Sequence, residues 1–297
     1  MTTYRIVHTT RYVFDRDVAS CEVEARLQPP NLYHQEGCFH QIVARPLIDR
    51  RREWGDKFGN RVSGLTVGRK LRTLEVTAIN VVRTLPRAGQ ESLGSMPWED
   101  VRRIAHEDGE DGELAPFLED SPLAGPDPAI ADYALVSFTP GRQVIAATRD
   151  LVRRIHEDFA YVPGATDVQT TAAEAFRLRL GVCQDFAHIG IAGLRALGLP
   201  ARYVSGYMDT SQSKGAQVRP GEDASHAWLS VYVPGTGWID FDPTNDRAAN
   251  ETYVILAWGR DYGDIVPLQG LAEGGGGHKF SVSVDMRRDE PARAAHG

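Results

Sequence analysis

Residues 181–188 read GVCQDFAH, and Cys183 in them opens a run, CQDFAHIGIAGLRALG, whose Phe186, Ile189, Leu194 and Leu197 fall at helical spacing before Gly198 and Pro200 close it. Cys183 therefore stands at the first turn of a helix. Unpaired backbone N–H groups and the positive end of the helix dipole favour a thiolate there. Sites of this kind, with a histidine nearby, bring a cysteine from about 8.5 to roughly 3.5–7.5. A thiol so placed is a nucleophile near neutral pH; the same position also suits a cysteine that only fills space under a helix start. Downstream, SHAWLSVYV and GWIDFD read as two strands joined by a turn, with His226, Trp228, Ser230 and Tyr232 on one face of the first and Trp238, Asp240 and Asp242 on one face of the second. His226 and Asp242 share a face only if facing residues sum to an even number. A loop of Pro234, Gly235 and Thr236 meets that condition and leaves the two as diagonal neighbours, roughly 7–8 Å apart at the backbone and within hydrogen-bond reach. A loop of Gly235 and Thr236 alone puts them on opposite faces.

The elements that must position these residues follow from the pattern around them. GRQVIAATRDLVRRIHEDF spaces Val144, Ile145, Leu151, Val152, Ile155 and Phe159 for a helix over 142–159. Thr171 and Glu174 form a T-x-x-E capping box ahead of a second helix ending at Gly181. ARYVSGYM reads as a strand, and a polar, glycine-containing excursion, TSQSKGAQVRPGEDA, separates it from His226. Before residue 85 the chain is a series of short alternating runs broken by turn residues such as DKFGN, the pattern of an antiparallel all-β domain built from hairpins. Residues 86–141 are rich in Pro, Gly and acid and read as a connecting segment with one short helix near 97–107. The expected organisation is an N-terminal β domain over 1–85, the connecting segment, an α+β core over 142–286 and a flexible tail over 287–297.

Composition limits what such a chain can be. Its 297 residues, 42% hydrophobic and 25% charged, suit two globular domains. No apolar stretch approaches the ~20 residues of a membrane span, and the opening MTTYRIVHTTRYVF has no plan of a secretory leader, so the expected compartment is the cytoplasm. A net charge of −7 gives no footprint for a phosphate backbone, and the clusters Arg50–Arg52 and Arg102–Arg103 read as solvated faces. Neither nucleic acid nor membrane is an expected partner. The other two cysteines, Cys21 and Cys38, lie in strand-rich sequence and read as small buried residues; an odd count without a CxxC pair argues against a disulfide framework and a thiolate zinc site.

GVCQDFAH, ASHAWLSVYV and GWIDFDPTND, in that order, resemble the cysteine, histidine and aspartate motifs of the bacterial transglutaminase-like superfamily. The strand-rich opening is similar to the N-terminal β domain that accompanies these cores, and YVPGATDVQTTAAEAF, AWGRDYGDIVPLQG and GGGGHKFSVSVDM to its flanking segments. The resemblance implies a papain-like core on helices and an antiparallel sheet. It assigns Cys183 as nucleophile, His226 as general base and then acid, and Asp242 as the group that orients the imidazole, acting on a peptide or protein amide through a thioester with no cofactor and no metal. Asp240 is the rival for the third role. The Cys183 N–H is one natural oxyanion donor; Gln184, Tyr161 and Gln169 are candidates for the second by chemistry alone. The tryptophan that serves animal transglutaminases there has no clear counterpart, and no calcium-loop pattern is present.

Other residues carry simpler readings: Asp185 as partner of the helix dipole, His188 as a structural histidine, Trp228 and Trp238 as hairpin packing or cleft wall, Gly274–Gly277 as a flexible lead into the last strand, and Asp261, Tyr262 and Asp264 as possible cleft lining. Three functions follow: an amide hydrolase, a transferase passing the same acyl group to an amine, and a binding protein that keeps the fold. A zinc site from Cys183, His188 and His226 is a fourth.

Overall fold

The structure, a computed structural model, describes residues 1–87, 96–107, 109, 112–210 and 225–289. Its first strand, β1 (Thr2–Ala25), is a single element where the pattern suggested two, because a register shift between Val13 and Val18 absorbs the polar DRD interruption. The first half of β1 lies between β5 (Leu71–Thr84) and the last strand, β14 (His278–Arg288). The second half lies between β4 (Arg61–Val67) and β13 (Leu268–Gly274). With β2 (Gln35–Arg45) on β5 and β3 (Arg50–Gly55) on β4 this is a seven-stranded sheet. The DKFGN turn joins β3 to β4, with Gly59 at φ 85°, where a side chain would be strained.

The assignment of residues up to 286 to the core thus differs from the structure, since β13 and β14 complete the N-terminal sheet. KFSVSVDM announces a strand but not its partner, which lies some 270 positions away in Tyr12 and its neighbours. Gly274–Gly276 all take positive φ, and the turn is tied down by Asp15 N–H to Gly277 O at 2.9 Å and Arg16 N–H to Gly275 O at 3.0 Å. It is a built hairpin connection. Arg287 and Arg288 extend β14, and the rest of the expected tail, 290–297, lies outside the described residues, as do 211–224 of the polar excursion.

The core sheet runs β11 (Arg247–Ala248), β10 (Gly237–Asp242), β9 (Ser225–Val233), β8 (Ala201–Met208), β12 (Tyr253–Gly259), antiparallel throughout. A central helix, α5 (Cys183–Ala196), lies on β9 and β8; a Cβ on Gly190 would come within 2.3 Å of Leu229 Cδ2, so glycine there is what lets the helix settle so close. Around it stand α3 (Val144–Asp158), as the spacing predicts, α4 (Ala172–Leu178) with the expected capping box, and α1 (Trp98–Glu107) near the expected short helix. The connecting segment holds more than foreseen: α2 (Pro128–Leu135), N-capped by Asp127, packs on α5, and Trp98, Val101, Ala124, Ile130 and Phe138 join the core. An amphipathic helix whose acid cap sits among Pro and Gly residues is easily read as linker.

Sheet and core are joined along β12. Gln35 donates to Ile255 O at 2.9 Å and accepts from Ile255 N–H at 2.7 Å; Asn60 does the same with Trp258 O at 2.7 Å and Trp258 N–H at 2.9 Å. Each side-chain amide stands in for the missing neighbour strand at that edge. Tyr207, Val254 and Leu256 bury themselves with Tyr4, Ile6, Val76 and Ala78 of the other sheet.

Candidate active site

The chain reaches Cys183 by a sharp route. Helix α4 ends at Arg179, which takes the left-handed conformation at φ 56°, two residues before the expected Gly181. β7 (Leu180–Gly181) then pairs in parallel with β6 (Ala160–Tyr161), a two-residue ladder that fixes the direction of entry into α5. Asp185 in the first turn accepts from the Val182 N–H at 2.8 Å and from Thr166 Oγ1 at 2.6 Å, the dipole-partner role expected of it. Burial is the main cause holding its carboxyl above the usual range. Cys183 is the first helical residue, half-buried and a free thiol.

His226 and Asp242 arrive through the three-residue loop. Gly237 pairs with Val233 and Phe241 with Leu229, so the register is the one that puts both on the same face. His226 Nε2–H donates to Asp242 Oδ2 at 2.7 Å, which leaves Nδ1 for the thiol side. Burial alone would push His226 down, but the Asp242 charge and hydrogen bond, with Cys183 alongside, raise it to about 10. Burial alone would push Asp242 up, and His226 together with hydrogen bonds from Tyr253 and Asn245 brings it instead to about 2.

The carboxylate is held on every side. Thr244 N–H (2.9 Å) and Asn245 N–H (3.2 Å) donate to Oδ1, and Asn245 Nδ2 (2.7 Å) and Tyr253 OH (2.6 Å) to Oδ2. Arg247 Nε in turn donates to Tyr253 OH at 2.9 Å. Sequence reasoning missed Tyr253 and Asn245. Asn245 was findable, since an aspartate followed by a turn caps the N–H groups two and three residues on; nothing near Tyr253 announces its role. Behind His226 stands Trp228, fully buried, with ring centroids 6.1 Å from His226 and 5.2 Å from Tyr253. Gly206 makes room for it, since a Cβ there would lie 2.5 Å from the indole and 2.1 Å from Val254 O. Trp228 is packing, and Trp238, against Phe117 at 4.9 Å and Tyr232 at 5.5 Å, belongs to a separate aromatic cluster.

Cys183 and His226 line one cleft of about 330 Å³, whose opposite wall is Tyr12, Phe280 and Val282 of the N-terminal sheet. Of the second-donor candidates, Gln184 lines the cleft with its Nε2 turned to Val168 O at 3.3 Å, Gln169 lines an adjoining cavity, and Tyr161 packs its half-exposed ring against Phe186. Tyr203 on β8 was not foreseen. It lines the cleft, and burial together with the nearby Cys183 raises its phenol well above the usual value. No hydrogen bond engages that hydroxyl among the described residues.

The remaining candidates fall outside the cleft. Asp240 forms a buried ion pair with Arg87 and accepts from Ser230 Oγ, away from His226. His188 is buried, its Nε2 accepts from the Tyr262 N–H at 3.2 Å, and burial brings it down to about 4. Asp261 accepts from the Leu123 and Gly263 N–H groups, Asp264 pairs with Arg260, and only Tyr262 of that trio reaches the cleft. Among the described residues no three His, Cys, Asp or Glu side chains are grouped to hold a metal.

Two family models match the chain: the transglutaminase-like superfamily over residues 137–243, which include Cys183, His226 and Asp242, and the bacterial transglutaminase-like N-terminal region over 4–83. The chain belongs to the transglutaminase-like superfamily. An uncharacterised protein of Mycobacterium tuberculosis is 37% identical over 293 residues, 95% of this chain and 92% of that protein. A shorter match, 33% over 125 residues and 39% of this chain, is to a protein-glutamine gamma-glutamyltransferase of Pseudomonas aeruginosa, of which it covers 18%. Among solved structures, one from Cytophaga hutchinsonii, provisionally labelled a cysteine protease, superposes with a TM-score of 0.74 at 23% identity over 98% of this chain and 91% of that one. This transglutaminase-like chain therefore has the expected α+β architecture, a core behind an N-terminal antiparallel sheet.

Proposed function

We propose that this transglutaminase-like protein is a thiol amide hydrolase in which Cys183, His226 and Asp242 act as a triad. The observation that carries the reading is the 2.7 Å bond from His226 Nε2–H to Asp242, made at the edge of the cleft that Cys183 opens into. Cys183 Sγ attacks the amide carbonyl and forms the C–S bond. The oxyanion is met by the Cys183 N–H and, in this reading, by the Tyr203 hydroxyl. His226 Nδ1–H protonates the leaving nitrogen as the C–N bond breaks, and Asp242 steadies the imidazolium. Water then gives a proton to His226 and its oxygen to the thioester carbon, releasing the carboxylic acid and the thiol.

Water is favoured over an amine acceptor because no Asp or Glu lines this cleft among the described residues, so nothing there gathers an ammonium group. The match to a gamma-glutamyltransferase favours transfer as the second reading. Incubation with a glutamine-containing peptide and a labelled primary amine separates them: ammonia without label is expected, and label in the peptide would replace hydrolysis with transfer. Rapid iodoacetamide alkylation of Cys183 at neutral pH is expected of either enzyme, and its absence would favour a binding protein. Free Cys21, Cys38 and Cys183 fit a reducing compartment, and the proposal places the protein in the cytoplasm.

A further inference from the structure

The cleft does not end at the thiol. A second cavity of about 410 Å³ adjoins the first of about 330 Å³, and the two share Tyr12, Tyr262, Val266, Leu268 and Phe280 as lining. A groove therefore runs from Cys183 along the face of β1 and β14. Its chemistry is one-sided: among the described residues no Asp, Glu, Lys or Arg lines either cavity, and the titratable nitrogens there belong to His8, His226 and His278.

Rings dominate the β-sheet wall. Tyr12 and Phe280 are a cross-strand pair with centroids 6.1 Å apart; Phe14 stacks on Tyr12 at 6.4 Å and His278 meets it edge-on at 5.5 Å. Tyr12 is fixed in place by its hydroxyl, which donates to Leu268 O at 3.0 Å. Phe280 is 61% exposed, while Tyr4, Ile6, Leu74 and Val76 of the same sheet are buried. An exposed aromatic on a rigid strand, continuous with the cleft of Cys183 and with no Asp, Glu, Lys or Arg lining it among the described residues, is suited to a large apolar side chain.

Resting on the hydrolase reading, we propose that the N-terminal sheet is the specificity wall of the enzyme: the groove seats an uncharged acyl-donor peptide whose aromatic side chain, next to the reacting carbonyl, packs on Tyr12 and Phe280. The role of the β domain is then selection of substrate. Charged side chains are disfavoured at that position because, among the described residues, the wall at Tyr12 and Phe280 offers no counter-charge for the hydration they lose, the His226 imidazolium being already held by Asp242.

Peptidyl chloromethyl ketones test this without a known substrate, since Cys183 Sγ displaces chloride from the methylene carbon and the rate reports how well the side chain seats. Four reagents differing only in the side chain beside the ketone, Phe, Leu, Asp and Lys, are compared on the full chain. Inactivation about tenfold or more faster for Phe than for Asp or Lys is expected, with Leu between. Phe280→Asp should remove the Phe preference and raise Lys above it, and Phe280→Leu should keep the apolar order, with each rate divided by that protein's own iodoacetamide rate so that any change in the thiol itself cancels. An unchanged order in Phe280→Asp, or a charged reagent reacting fastest with the wild type, overturns the specificity wall but leaves the thiol reading intact. Loss of iodoacetamide reactivity in the wild type sinks the hydrolase reading itself. Light scattering across concentration is the companion measurement: a dimer abolished by Phe280→Asp would mean the wall meets a second copy, and would overturn the proposal.

Discussion

Asp240 and Asp242 sit two residues apart on the same face of β10, both buried, and the structure puts them to different uses. Asp242, at the end of the strand, meets His226 on the diagonal and lies beside the open cleft. Asp240, one step inward, pairs directly across with Ser230 and is bound by Arg87 from the segment leading out of the N-terminal sheet. Arg202 lies close enough to Asp240 for its charge to be felt, with its guanidinium between the rings of Trp238 and Trp258. One carboxylate holds an imidazole and the other fastens two parts of the chain. Residue type and face do not distinguish them; distance from the strand end does.

Substitutions at the two positions should separate cleanly. The largest effect is expected in Asp240→Ala, which leaves Arg87 buried without its partner: a loss of about 3–5 kcal/mol in urea unfolding, with the iodoacetamide rate of the folded fraction unchanged. A rate loss equal to that of an Asp242 variant would erase the distinction. Asp242→Ala should slow alkylation of Cys183 by about tenfold or more, because the imidazole loses the charge that keeps it protonated beside the sulfur. A wild-type rate there would remove Asp242 from the proposed machinery. Replacing Arg87 and Asp240 together by Met and Leu should recover most of the single-variant loss, to within about 1–2 kcal/mol of wild type; no recovery would mean the pair holds more than itself.

The pH dependence separates two kinds of buried histidine. His226 is raised to about 10, so its contribution is complete below about 6.5 and is lost as pH climbs toward 10. Asp242 is lowered to about 2, so its share is complete above about 3.9 and is lost as pH falls toward 2. His8, His34 and His188 are each brought down to about 4 by burial, so charging them costs stability as pH falls from about 6.5 toward 4. Thermal melts should show a decline between about pH 6.5 and 10 that His226→Gln removes, and an acid decline that the substitution reduces by the share of Asp242 but leaves with the share of His8, His34 and His188; a limb between about 6.5 and 10 that survives the substitution would contradict the raised value. The smallest change is expected in Tyr253→Phe, which removes one of the Asp242 hydrogen bonds: about 1 kcal/mol of stability and at most a few-fold in alkylation rate, against no shift if Tyr253 merely packs.

Much of the site was legible because it rests on local rules. A cysteine at a helix entrance, the Thr171–Glu174 box and the odd-length loop at Pro234–Thr236 are each decided within a few residues, and each has its counterpart in the structure. What the pattern hid is non-local. The return of residues 268–288 to β1 joins segments from the two ends of the sequence, and alternation carries no address for a partner. Tyr253 and Tyr203 look like any strand aromatic until their neighbours are known. Asp127–Leu135 reads as connecting segment because its Pro and Asp, which start the helix, also mark loops.

The pairing of Tyr4 with Arg288 and of Phe14 with His278 means that one rim of the groove is the last piece of the sheet to leave the ribosome. Synthesis runs from the N-terminus at about 5–20 residues per second, so the nascent chain carries the thiol for several seconds before Phe280 exists. On the proposed reading the thiol is made first and the wall that selects for it afterwards, and a chain cut short before β14 would keep the one and lack the other.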